Sequence, residues 1–102
     1  MRLARLFAEW VDADPDFERL APAPFSVVCF RANPRGKRRT EVELETLNQR
    51  LLDAMNASGE VFLSHTKLNG RFTLRLAVGN LRTEERHVAR AWELARTLLP
   101  RD

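Results

Sequence analysis

Cysteine occurs once in the 102 residues, at Cys29, so an intramolecular disulfide is excluded and the fold must rest on its core. Its place inside an apolar run predicts a buried structural thiol. Long hydrophobic runs are also missing. The longest, Phe25 to Phe30, already contains Ser26 and is far too short to cross a bilayer. Glu9 and Asp12 interrupt the stretch after Arg2 and Arg5, which excludes a signal-peptide apolar region there and predicts a cytoplasmic protein with no membrane partner. Glycine is sparse, and its four positions (36, 59, 70 and 79) are too scattered to cradle a phosphate. Cys29, His65 and His87 have no metal-ligand spacing, so no metal site is predicted. His65 is expected at the edge of the core and His87 in solvent. The acids lie mostly on helix surfaces (Glu41, Glu43, Glu45, Glu84, Glu85), which leaves no candidate for a catalytic carboxylate pair.

What remains is an ordinary globular composition, 30% charged and 44% hydrophobic, at a length that supports one domain, 1–102, with a single core. The net charge of +3 is mild, and basic residues cluster only at Arg31, Arg35, Lys37, Arg38 and Arg39.

The most informative stretch is Leu68-Asn69-Gly70-Arg71, flanked by alternating apolar residues. Asn-Gly tolerates positive φ at both turn positions and is a strong hairpin signal. A two-residue loop predicts pairing of Leu68 with Arg71, Thr66 with Thr73 and Ser64 with Arg75. One face then carries Val61, Leu63, Phe72, Leu74, Leu76 and Val78, with His65 and Lys67 towards the turn. The other carries Ser64, Thr66, Thr73, Arg75 and Ala77.

Upstream, Leu3, Leu6, Phe7, Trp10 and Val11 form one stripe of a helix over 2–13 that Pro15 bounds. Residues 17–21 suggest a short edge strand. The run 25–31 is apolar on both faces and rich in valine, the mark of a central strand. Asn33-Pro34 and Gly36 make 31–39 a loop. Thr40 with Glu43 forms a capping box for a helix over 40–56, whose buried stripe is Leu44, Leu47, Leu51 and Met55 and which Ser58-Gly59 end. Thr83 is the expected cap of a last helix, 83–98, with Val88, Ala91, Trp92, Ala95 and Leu99 on its inner side. A right-handed crossover places strand 71–79 between strands 25–31 and 60–68. The predicted fold class is α+β: a four-stranded antiparallel sheet ordered 17–21, 25–31, 71–79, 60–68, in a ferredoxin-like split arrangement with helices mainly on one face. The N-terminal helix has no assigned seat; it covers part of the open face or needs another chain. Arg75 falls on a central strand, on the face that helices 40–56 and 83–98 leave open.

Four segments together resemble a known family. They are Asp14-Pro15-Asp16-Phe17-Glu18, Val27-Val28-Cys29-Phe30-Arg31, Leu68-Asn69-Gly70-Arg71-Phe72-Thr73-Leu74-Arg75 and His87-Val88-Ala89-Arg90-Ala91-Trp92-Glu93. In this order and spacing they look like the C-terminal small domain of pyridoxal-phosphate-dependent group II decarboxylases, in the aromatic-L-amino-acid decarboxylase branch. The glutamate decarboxylase branch is less similar around 27–31. The resemblance implies a fold-type I lyase of amino-acid metabolism, a homodimer whose cofactor lysine lies in a large domain in a His-Lys context. Lys37 and Lys67 lack that context. Pyridoxal phosphate would therefore belong to the full-length enzyme, with no catalytic or cofactor-binding residue in this chain. The chain would then be a fragment, a separately expressed domain or the product of a truncated gene, whose partner is the large decarboxylase domain. One residue carries over by motif: Arg75 would hold the substrate carboxylate, or else bridge the two domains through a salt bridge.

The alternative is a stand-alone ferredoxin-like module for single-stranded nucleic acid or a small regulatory ligand. Nucleic acid is disfavoured, because the open face offers only Phe62 for base stacking. An exposed sheet face could also drive self-association into a dimer.

Overall fold

Asn69 and Gly70 both take positive φ, 52° and 79°, so the two-residue turn closes as its sequence dictates. Ser64 pairs with Arg75, Thr66 with Thr73 and Leu68 with Arg71, the register expected from the turn. The computed structural model describes residues 2–21, 27–35, 38–77 and 84–99. Its elements are α1 (Arg2–Ala13), β1 (Phe17–Arg19), β2 (Val27–Ala32), α2 (Glu41–Ala57), β3 (Ser64–Leu68), β4 (Arg71–Ala77) and α3 (Glu85–Leu98). The sheet is antiparallel in the order β1-β2-β4-β3, as the crossover argument required. Phe25, Val78, Gly79 and the expected cap Thr83 lie outside the described residues.

Strand alternation places Val28, Phe30 and Ala32 of β2 beside Phe72, Leu74 and Leu76 of β4 on one face, and all six are buried. α2 lays Leu44, Leu47, Leu51 and Met55 against them, with Leu52 also buried. Its N-terminus has the full capping box: the Glu43 N–H donates to Thr40 Oγ1 at 3.2 Å, and the Thr40 N–H donates to Glu43 Oε1 at 3.0 Å. Gly59, at φ +75°, follows the Ser58 C-cap where the chain leaves the helix.

The seat of α1 departs from both options open to the sequence reading. It lies on the same face as α2 and α3, over β1 and β2. Phe7 meets Phe30 at 5.2 Å between ring centroids and Trp92 of α3 at 5.7 Å, while Phe17 meets Trp92 at 5.0 Å. These edge-on and tilted aromatic pairs close the N-terminal half of the core. All three described helices therefore share one face, and among the described residues the other face of the sheet carries no helix.

Strand 60–68 is shortened at its start, to Ser64. The physical reason is Asn56, whose Nδ2 donates to the Leu63 carbonyl at 3.0 Å and whose Oδ1 accepts the Leu63 N–H at 2.7 Å. A side-chain amide thus occupies the backbone groups that a further ladder pair would use. Asn48, two turns earlier, does the same for β2. Its Oδ1 accepts the Ala32 N–H at 2.8 Å and its Nδ2 donates to the Ala32 carbonyl at 3.0 Å. α2 therefore brackets the sheet at two points. His87 is exposed, as expected, and it also serves the start of α3, where the Glu84 N–H donates to its Nδ1 at 2.9 Å.

Candidate functional site

The uncovered face is built by the other parity of the same strands. β4 contributes Arg71, Thr73, Arg75 and Ala77; β2 contributes Cys29 and Arg31; β3 contributes Ser64 and Thr66; β1 contributes Glu18. Arg75 stands in mid-strand, with Cys29 directly across on β2 and Ser64 directly across on β3. Its side chain is exposed, and it makes no hydrogen bond or ion pair with any of the described residues. Cys29 is half-buried, not fully buried as expected, because alternation turns it onto this face.

One row away the electrostatics are the opposite. Arg31, the end of the expected strand 25–31 and also counted with the basic cluster, belongs to β2, and its side chain is only 5% exposed. Its Nε donates to Glu18 Oε1 on β1, directly across the ladder. Its Nη1 donates to Glu41 Oε2 at 2.8 Å and its Nη2 to Glu41 Oε1 at 3.4 Å, a two-pronged grip on the first residue of α2. Burial alone would push the Arg31 guanidinium down. Its hydrogen bonds to Glu41 and Glu18, together with their charges, outweigh that and leave it above its ordinary value. The hydrogen bond from Arg31 in turn holds the Glu41 carboxyl below its ordinary range. Thr73 is fully buried, and its Oγ1 donates to the Arg71 carbonyl at 2.9 Å. The face therefore has a locked ionic row and, beside it, Arg75, which has no counter-ion among the described residues.

Arg35 and Arg39 of the same cluster are tethered as well. The Arg35 N–H donates to Asp16 Oδ1 at 2.9 Å, and Arg39 Nη1 donates to the Pro34 carbonyl at 3.3 Å. Lys37 lies outside the described residues. Phe62, the one aromatic residue that could have served base stacking, is 83% exposed and outside the sheet ladder. His65 sits at the rim of the helix-covered face, stacked on Phe72 at 5.0 Å. Behind the sheet, Trp92 and Arg96 line two open clefts of about 440 and 280 Å³, the second completed by Trp10, Ala13, Asp14 and Pro15.

The arrangement can bind an anion at Arg75, but the described residues do not fit a phosphate-bearing aldehyde cofactor. That group needs a lysine amine free to condense with it. Lys67 Nζ is held by Glu45 Oε1 at 3.1 Å beside the turn, away from Arg75's row. The two described glycines serve turns, and no buried side-chain polar atom among the described residues lacks a partner. No group of three His, Cys, Asp or Glu side chains among them could hold a metal. None of the described helices is long and apolar enough to cross a membrane.

No protein-family model matches the chain. Individual relatives do. Tryptophan decarboxylase TDC2 of Camptotheca acuminata is 46% identical over 96 residues, 94% of this chain and 19% of that protein. Aromatic-L-amino-acid decarboxylase of Catharanthus roseus is 43% identical over 96 residues, again 94% of this chain and 19% of that protein. Among solved structures, Oryza sativa TDC with PLP and tryptamine superposes with a TM-score of 0.90 at 36% identity, covering 96% of this chain and 21% of that one. The chain thus spans about a fifth of the length of the curated relatives it matches.

Proposed function

We propose that the chain belongs to the aromatic-L-amino-acid decarboxylase family, matching one segment of those pyridoxal-phosphate enzymes, and works as their C-terminal small domain. In this reading it contributes interdomain packing and substrate orientation to a cytoplasmic, homodimeric lyase acting on an aromatic amino acid. The cofactor chemistry is supplied by a large domain. The observation that carries the reading is the 46% identity running along 94% of the chain. Among the described residues, the basic cluster's contribution to the nucleic-acid alternative is weakened because Arg31 is spent on Glu18 and Glu41.

Arg75 is the residue we assign to the substrate α-carboxylate. A guanidinium fork matches a carboxylate in two parallel hydrogen bonds, which fixes orientation as well as position. The support is its place in mid-strand, exposed and without an internal counter-ion among the described residues. Removing such a charge-assisted contact costs about 1.5–3 kcal/mol, so Arg75→Ala should lower kcat/KM by roughly 10- to 100-fold. The uncovered face around it is the surface we assign to the large domain.

The experiment that tests the division of labour is absorption spectroscopy of the purified chain with pyridoxal phosphate, followed by carbon dioxide release from aromatic amino acids. Neither an absorbance change nor release is expected. Tight cofactor binding by the chain alone would sink the proposal.

A further inference from the structure

We infer that Arg31 is a positioning residue for Arg75: by holding the carboxylates of Glu18 and Glu41, it keeps Arg75 free for an anion from outside the chain. The functional meaning rests on the reading of Arg75 above, whereas the allocation of charge stands on geometry alone. Arg75 is paired with Cys29 across the β2–β4 ladder, and Arg31 lies two residues further along β2 on the same face. Such diagonal neighbours are about 7–8 Å apart, within reach of long side chains. Glu18 lies across from Arg31 on β1. It is two strands and two residues from Arg75, about 12 Å at about 4.8 Å per strand and 3.4 Å per residue. Extended glutamate and arginine side chains together bridge about that distance.

Which guanidinium Glu18 serves is therefore a competition between Arg31 and its two diagonal neighbours on that face, Arg71 and Arg75. Arg31 wins because it is closer, is buried to 5%, and is held in place from the other side by Glu41. A low local dielectric strengthens that pair relative to one in open water. With Arg31 gone, Glu41 still has Arg71, which already acts on it electrostatically. Glu18 then faces two diagonal arginines at equal ladder distance, Arg71 and Arg75; Arg71 is the one drawn to Glu41, which leaves Arg75 to Glu18. Its carboxylate would then occupy the fork that the substrate carboxylate needs, as an internal competitor.

The test reads the Nε–H group of Arg75 directly, by nitrogen-15 NMR of the full chain. In the wild type its exchange with water should be fast, as for an unpaired guanidinium. Arg31→Gln should slow that exchange about fivefold, the protection expected from one modest hydrogen bond. The double variant Arg31→Gln/Glu18→Gln should restore fast exchange, an outcome that general loosening of the sheet would not produce. If Arg31→Gln does not fold, Arg31→Lys serves: a point charge cannot hold two carboxylates as the fork does, so an intermediate slowing is expected. Exchange at Arg75 that stays at the wild-type rate in every folded variant overturns the inference. In a decarboxylase carrying this segment, Arg31→Gln should raise KM more than it lowers kcat, with Glu18→Gln restoring KM. Slowed exchange with an unchanged KM would uphold the allocation of charge and refute the substrate role of Arg75.

Discussion

Replacing Asn48 by alanine should be among the most damaging single changes outside the aromatic core, and its size can be worked out from the bonds it breaks. Asn48 and Ala32 are both fully buried. The amide accepts from the Ala32 N–H at 2.8 Å and donates to the Ala32 carbonyl at 3.0 Å and the Leu44 carbonyl at 2.8 Å. Alanine strands two of these three backbone groups, since the Leu44 carbonyl keeps its acceptor role within the helix. An unsatisfied buried group costs about 1–3 kcal/mol, and the orphaned N–H is the costlier because a carbonyl tolerates partial satisfaction. The total is roughly 3 kcal/mol, or a fall in Tm of roughly 12–24 °C for a domain of this size. Asn56→Ala breaks the same pair of bonds at Leu63, but at a part-buried site where water can replace the amide. It should cost about 1 kcal/mol. Urea denaturation with a shared m-value measures both. Equal costs for the two, or less than about 1 kcal/mol for Asn48→Ala, would refute the view that burial turns the same amide bracket into a structural lock.

Other outcomes follow from the turn, the ion pairs and the helix cap. Gly70→Ala meets no atom within 4 Å but must adopt φ near +79°, so it should destabilise by about 1–2 kcal/mol through backbone strain alone; a neutral effect in the same urea assay would contradict that. Glu41 and Glu60 are held below their ordinary value of 4.5 by hydrogen bonds from Arg31 and Arg90. In the unfolded chain they take up protons first, so their contribution is complete above about pH 4.5 and is lost as the pH falls through their depressed folded values. The urea midpoint should accordingly drop below that pH, and Glu41→Gln with Glu60→Gln should flatten the drop; an unaltered acid limb would remove both pairs from the account. Thr40→Ala should cost about 1 kcal/mol by uncapping α2, visible as the same shift in thermal and urea unfolding.

The turn, the capping box and the order of strands were legible because each is written in neighbouring residues. Asn69-Gly70 fixes its register locally, and Thr40 with Glu43 satisfies the helix start within four residues. The ion pairs of Arg31 were missed because its neighbours in sequence, Arg35, Lys37, Arg38 and Arg39, are basic, whereas its neighbours in space are Glu18 and Glu41. Only the β1–β2 register reveals the first, and only the path of the loop into α2 reveals the second. Asn48 and Asn56 carried a usable signal: both are polar residues on the apolar side of α2, eight positions apart, where a buried amide must find backbone partners. The seat of α1 depended on Phe7 meeting Phe30 and Trp92, three rings far apart in the chain. Arg75 was found because it breaks the pattern of a central strand, and its lack of a carboxylate partner among the described residues became visible only with the fold.

The proposed role of this chain is that of the small domain of an aromatic-amino-acid decarboxylase, with Arg75 presented to the substrate. It is tested most directly by exchanging this chain for the corresponding segment of the Camptotheca acuminata tryptophan decarboxylase, 46% identical to it, and following carbon dioxide release from tryptophan. The account predicts an active chimera that loses roughly 10- to 100-fold in kcat/KM on Arg75→Ala while the cofactor absorbance is retained. A folded, cofactor-loaded chimera that is inactive, or one whose kinetics Arg75→Ala leaves unchanged, would contradict it.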